Sequence, residues 1–257
     1  MKKLIVANWK MLPETLGQAE EILARTDEHL RGLSSEHINL VVCPPFVFME
    51  EVAQLLGTGS LVASASLGAQ DVAITESGAL TGEVSAPQLV RLGVRYVIIG
   101  HSERRWKLGE TDEVTNMKLK VALRAGLIPI VCFGERTRAG DWHKELAAQT
   151  VATLAGLSED EVSRCAIAYE PVWAISTNPD AKSDTPASAV GSMNLIRETI
   201  ADHFNVSHTT FLYGGSITPH NVAEFLERPE MSGVLVGGAS VRIDDFTSIL
   251  TIAAQLS

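Results

Sequence analysis

The chain has 257 residues, enough for one large domain or two small ones, and its 46% hydrophobic fraction with 20 glycines is that of an ordinary globular protein with a full core, which excludes intrinsic disorder. A formal net charge of −10 argues against nucleic acid or an anionic membrane as partner, because both demand a basic surface. The three cysteines, Cys43, Cys132 and Cys165, are far apart and form no CxxC pair, so neither a disulfide framework nor a zinc site is expected, only reduced and mostly buried thiols. The apolar run after Met1-Lys2-Lys3 is too short for a secretion signal, and no stretch approaches the roughly 20 apolar residues of a membrane span, so a cytoplasmic protein is expected.

Short apolar, β-branched runs recur along the chain: Leu4–Ala7, Ile38–Cys43, Leu61–Ala65, Tyr96–Ile99, Leu127–Cys132, Cys165–Tyr169, Thr210–Tyr213 and Val234–Val236. None alternates strictly, as expected for strands buried on both faces of a parallel sheet. Amphipathic segments lie between them. Leu16, Ala19, Leu23 and Leu30 share one helical face, and Phe246, Ile249, Leu250 and Ala253 share another. Ser85-Ala86-Pro87, Thr185-Pro186 and Thr218-Pro219 put a capping hydroxyl beside a proline suited to a first turn, and Ser158 to Glu161 has capping-box spacing. Eight strands alternating with helices over this length, with no linker between them, predict a single-domain α/β protein spanning 1–257, a (β/α)8 barrel of eight parallel strands with outer helices.

In such a barrel the active site lies at the C-terminal strand ends, and the polar residues there are few. Asn8 and Lys10 follow the first run, His101 the fourth, Glu170 the sixth, Gly214-Gly215-Ser216 the seventh and Gly237-Gly238 the eighth. Two glycine pairs leading into helices let backbone N–H groups approach a phosphate, so a phosphorylated substrate is expected. Lys10 supplies the local cation that an acidic protein needs for an anionic ligand. His101, opening a helical segment whose N-terminus disfavours imidazolium, suits a neutral hydrogen-bond donor to a substrate oxygen. Glu170 is a lone carboxylate at the end of a buried run, followed by the polar segment Ser176 to Asp184 with the composition of a mobile loop. A base beneath a lid, paired with an electrophile and with no metal-ligand cluster, points to proton abstraction beside a carbonyl.

Asn8-Trp9-Lys10-Met11, Gly68-Ala69-Gln70, Thr81-Gly82-Glu83, Gly100 to Arg105, Gly109 to Glu113, Cys132 to Glu135, Ala168 to Ile175, Tyr213 to Ser216 and Val236 to Ala239 together resemble the triosephosphate isomerase family, in order and over nearly the whole chain. The resemblance implies an aldose–ketose isomerase that interconverts dihydroxyacetone phosphate and glyceraldehyde 3-phosphate through an enediol(ate), with no cofactor and no metal. It implies Glu170 as base, His101 as neutral electrophile, Lys10 and Asn8 as oxyanion stabilisers and Ser102 and Glu103 as support. Ser176, Gly215, Ser216, Gly237 and Gly238 would hold the phosphate. Pro171, Val172, Trp173, Ala174, Ile175, Thr177 and Asn178 would form the lid, latched by Tyr213 and Ser216. Gln70, Thr81, Gly82, Glu83 and Arg104 would meet a second subunit in a homodimer. The lid departs from the family. Ser176-Thr177-Asn178-Pro179 replaces the usual Gly-Thr-Gly, and Thr185-Pro186 arrives a few residues late, which keeps open an isomerase of a four-carbon ketose phosphate. Asp71 stands where the family often has Asn.

Overall fold

A computed structural model describes residues 2–33, 37–57, 65–175 and 183–256. Eight strands form one closed, all-parallel barrel in sequence order: β1 (Lys3–Asn8), β2 (Ile38–Cys43), β3 (Ser66–Ala69), β4 (Tyr96–Ile99), β5 (Ile128–Phe133), β6 (Ala166–Tyr169), β7 (Thr210–Tyr213) and β8 (Gly233–Val236). The ring closes where Leu4 to Ala7 of β1 pair with Gly233 to Val236 of β8.

The strands are buried on both faces, and this is why their sequences do not alternate. Leu4, Val6, Val41, Cys43, Ile98, Ile130, Cys132, Ala168, Leu212 and Leu235 pack together as one cluster inside the barrel. The intervening residues, among them Ile5, Val42, Val97, Val131, Ile167, Phe211 and Val234, pack outward against the helices in a second cluster. Every strand except β3, whose Leu67 and Ala69 both pack outward, therefore contributes apolar side chains to two cores.

The third predicted strand is corrected. Residues 61–64 lie outside the described residues, Ala65 is not in a strand, and β3 runs over Ser66–Ala69. At Gly68 a Cβ would stand 2.5 Å from Cys43 Sγ and 2.8 Å from Val41 Cγ1, so the close approach of β2 requires glycine at that point of β3.

The helices are α1 (Leu16–Arg31), α2 (Met49–Gly57), α3 (Ala86–Arg91), α4 (Ser102–Lys107), α5 (Asp112–Arg124), α6 (Trp142–Leu154), α7 (Glu159–Ser163), α8 (Pro186–Phe204), α9 (Val222–Leu226) and α10 (Ile243–Gln255). Ser85 and Ser158 close capping boxes on α3 and α7, and Thr185 caps α8, as their spacing predicts. Thr218-Pro219 does not start a helix. Asn221 Oδ1 accepts the Thr218 N–H at 2.8 Å and folds residues 218–221 into a turn, so α9 begins only at Val222. Phe246, Ile249, Leu250 and Ala253 are the buried face of α10. All three cysteines are buried free thiols, which burial pushes well above the ordinary thiol range. Among the described residues no helix is long and apolar enough to cross a membrane.

Candidate active site

At the C-terminal ends of the strands lies a cavity of about 450 Å³, lined by Asn8, Lys10, His101, Glu170, Gly215 and Gly238 among others. Five separate strands therefore deliver the candidate residues to one place. Glu170 directly follows β6, and its N–H still bonds Phe133 O at 2.8 Å in register with β5. The side chain is 2% exposed. Oε2 accepts the Ser102 N–H at 2.7 Å, and Oε1 lies 3.0 Å from His101 Nε2. The ring N–H is not aimed along that line, so Oε1 has no aligned donor and keeps its lone pairs available. Burial pushes this carboxyl up, but His101, the Ser102 N–H and the Lys10 charge oppose it, and the net position is below the ordinary glutamate value.

His101 caps α4. Its Nδ1 accepts the Glu103 N–H at 3.2 Å, and because a backbone amide can only donate, the ring proton sits on Nε2, the nitrogen facing the cavity. Gly100 before it has φ +69°, and a Cβ there would stand 2.7 Å from Thr115 and 2.8 Å from the Arg105 guanidinium. Only glycine makes that bend. The Arg105 Nε–H then fixes Gly100 O at 2.7 Å.

Lys10 has φ +55°, a left-handed conformation that costs an unbranched residue of order 1–3 kcal/mol and persists only where neighbours impose it. Those neighbours are identifiable. Lys10 N–H donates to Asn8 Oδ1 at 3.1 Å, the Gln70 amide donates to Lys10 O at 2.9 Å and to Cys43 O at 3.0 Å, and Lys10 Nζ pairs with Glu103 Oε1 at 2.8 Å. Asn8 O in turn accepts the Ser240 hydroxyl at 3.3 Å.

The glycines leave space that side chains would fill. A Cβ on Gly214 would come within 2.9 Å of Glu170 Cγ, and one on Gly237 within 3.1 Å of Lys10 Cε; one on Gly215 would collide with the Tyr213 hydroxyl. The ends of β7 and β8 are thus bare backbone between the base and the lysine.

Of the lid, Pro171 to Ile175 are described, whereas Ser176, Thr177 and Asn178 lie outside the described residues. Val172–Ala174 form a single tight turn, and Ala174 O accepts the Ser216 hydroxyl at 3.2 Å. Trp173 Nε1 and the Tyr169 hydroxyl both donate to Glu135 Oε1 at 2.8 Å, with Arg138 Nε at the same distance from that oxygen. Tyr213 lies against Asp184, at the described end of the polar segment Ser176 to Asp184. Thr81, Gly82 and Glu83 are exposed. Gln70 and Arg104 are both engaged within the chain, Arg104 with Asp71 at 2.9 Å and Glu110 at 2.7 Å. Glu135, Leu235 and Arg242 escaped the sequence reading. Glu135 stood in a motif that resembles the family, but nothing in its spacing points to Trp173; Leu235 and Arg242 carry no local signal at all.

A family model described as triosephosphate isomerase matches residues 3–253. The chain belongs to the triosephosphate isomerase family. It is 41% identical over 258 residues to a triosephosphate isomerase of Symbiobacterium thermophilum, covering 98% of this chain and 97% of that protein. It is 42% identical over 253 residues to that of Chloroflexus aurantiacus, with 96% and 97% covered, and 41% identical to that of a Roseiflexus species, with 96% of each covered. The resemblance thus extends well beyond the strand ends, and the closed eight-stranded barrel is the triosephosphate isomerase family's (β/α)8 architecture.

Proposed function

We propose that this chain interconverts dihydroxyacetone phosphate and D-glyceraldehyde 3-phosphate, moving one proton between adjacent carbons through an enediol(ate). The observation that carries the proposal is the buried Glu170 carboxylate with Oε1 3.0 Å from His101 Nε2, in a cavity lined by bare glycine backbone and Lys10. Glu170 takes the proton from one carbon and returns it to the other; His101 Nε2–H and Lys10 bind the oxygen on which negative charge develops. Asn8 and Gln70 hold Lys10 in its left-handed conformation, and Glu103 and Ser102 orient the histidine and the carboxylate. The carboxylate is parked on Ser102 N–H in this structure and swings toward the substrate carbons, a movement for which glycine at 214 leaves room. Gly215, Ser216, Gly237 and Gly238 bind the phosphate; Ser176, expected to join them, lies outside the described residues. This chemistry calls for no cofactor or metal.

The chain acts as a cytoplasmic homodimer in this reading. Met11 (89% exposed) follows β1, Phe46 and Val47 follow β2, and Leu80 to Glu83 stand in the loop after β3, so the apolar side chains gather at three adjacent strand ends. Such a patch on an acidic protein suits a second copy.

Steady-state rates of the purified protein with triose and four-carbon ketose phosphates side by side test the substrate. A triose preference in kcat/KM is expected; a preference of about tenfold or more for the tetrose, a difference of about 1.4 kcal/mol, overturns it in favour of an isomerase with a pocket enlarged by its longer lid.

A further inference from the structure

A second cation stands in the cavity wall. Arg242 follows the turn Gly238–Val241 and caps α10, and its guanidinium reaches back over the end of β8. A Cβ on Gly238 would lie 3.5 Å from Arg242 Nη1, while one on Gly237 would lie 3.4 Å from Lys10 Nζ. Each glycine of the pair is therefore flanked by its own cation. Among the described residues that line the cavity, Lys10 and Arg242 are the only lysine and arginine.

We infer that Arg242 is a specificity-determining residue that recognises the substrate's phosphate dianion, drawing it in and holding it over Gly238. The inference rests on the function proposed above. Lys10 is already neutralised in part by Glu103 at 2.8 Å, and the chain as a whole carries −10, so a dianion entering this cavity needs a further local positive charge. Arg242 is prepared for the role. Asp245 Oδ2 takes its Nε–H at 2.6 Å, which fixes the side chain while both Nη groups remain as donors in the planar fork that suits phosphate oxygens. The same pairing with Asp245 partly offsets the charge of Arg242. Its side chain is 59% exposed, so its attraction is screened by salt.

The test compares wild type, Arg242→Gln and Arg242→Lys in steady-state isomerisation of glyceraldehyde 3-phosphate and in competitive inhibition by inorganic phosphate, each at low and high ionic strength. Arg242→Gln is expected to raise both KM and the phosphate Ki about fivefold, with kcat changed less than about twofold, and to flatten the fall of kcat/KM with salt. Arg242→Lys is expected to restore the salt dependence. A glutamine variant whose phosphate Ki and KM match wild type overturns the role of Arg242 and leaves the proposed function standing. Absence of isomerisation by the wild type overturns the proposed function itself.

Discussion

Glu170 is held between opposed influences. Full burial favours the protonated acid, whereas the Ser102 N–H, His101 and Lys10 favour the carboxylate, and the balance lies on the ionised side. A base must arrive at the substrate unprotonated, so this balance serves the proposed proton transfer. Glu170→Gln keeps the shape and removes the proton carrier; kcat is expected to fall by about 10²–10⁴-fold while inorganic phosphate still inhibits, and near-normal turnover would take Glu170 out of the mechanism. The same shift has a stability consequence. A glutamate whose folded value lies below its unfolded value of about 4.3 contributes stability that is present above that pH and lost as pH falls through the folded value. Urea melts of wild type against Glu170→Gln should therefore show wild type losing ground as pH falls below the unfolded value of about 4.3, and a difference that stays constant on acidification would contradict the assigned direction.

Among elements, the register of β5 against β6 fixes where the base stands. Glu170 N–H bonds Phe133 O, and Gly134 follows with its missing Cβ pressed on the Glu170 carbonyl, where any side chain would overlap backbone. Backbone has nowhere to rotate to, unlike the tip of a side chain. Gly134→Ala is expected to cost about 3 kcal/mol by denaturant melting and to lower kcat by about 10²-fold through displacement of Glu170; unchanged values would show that the two strands can separate at little cost. What could be read in the sequence follows the same division. Asn8, Lys10, His101 and Glu170 were legible because a polar residue straight after a buried apolar run has few structural reasons to be there. β3 was missed because Gly68 is chosen by contact with Cys43 and Val41, which are distant in sequence. Glu135 was missed for a similar reason, since its partners Tyr169 and Trp173 are more than thirty residues away. Arg242 sits just beyond a recognised glycine pair, but only the fold turns its guanidinium back toward Gly238.

Across the whole molecule, one ionic cluster joins the loop after β3 to α4 and α5. Lys118, 3% exposed, donates to both oxygens of Asp71 at 2.8 and 2.7 Å and also pairs with Glu110, while Arg104 bridges the same two acids. Two cations and two anions balance, so removing a cation leaves buried carboxylates uncompensated. The members are not equivalent. Burial pushes the Asp71 carboxyl up despite Lys118 and Arg104, so its ionisation costs stability as pH rises above the ordinary range, and Glu110 remains to pair Lys118 without it. Lys118→Ala is expected to cost about 3–5 kcal/mol, and Asp71→Asn less than about 1 kcal/mol, in urea melts at neutral pH. Equal losses would show that Asp71 is the anchor of the cluster.

The pairing of β1 with β8 sets a condition on biosynthesis. Lys10 leaves the ribosome long before Gly237, against which it packs. Until then the nascent sheet is an open ribbon whose β1 and β7 edges both offer unpaired backbone, a template for pairing with neighbouring chains. Catalytic competence and protection from such misassembly are therefore acquired in one late step, when β8 closes the ring.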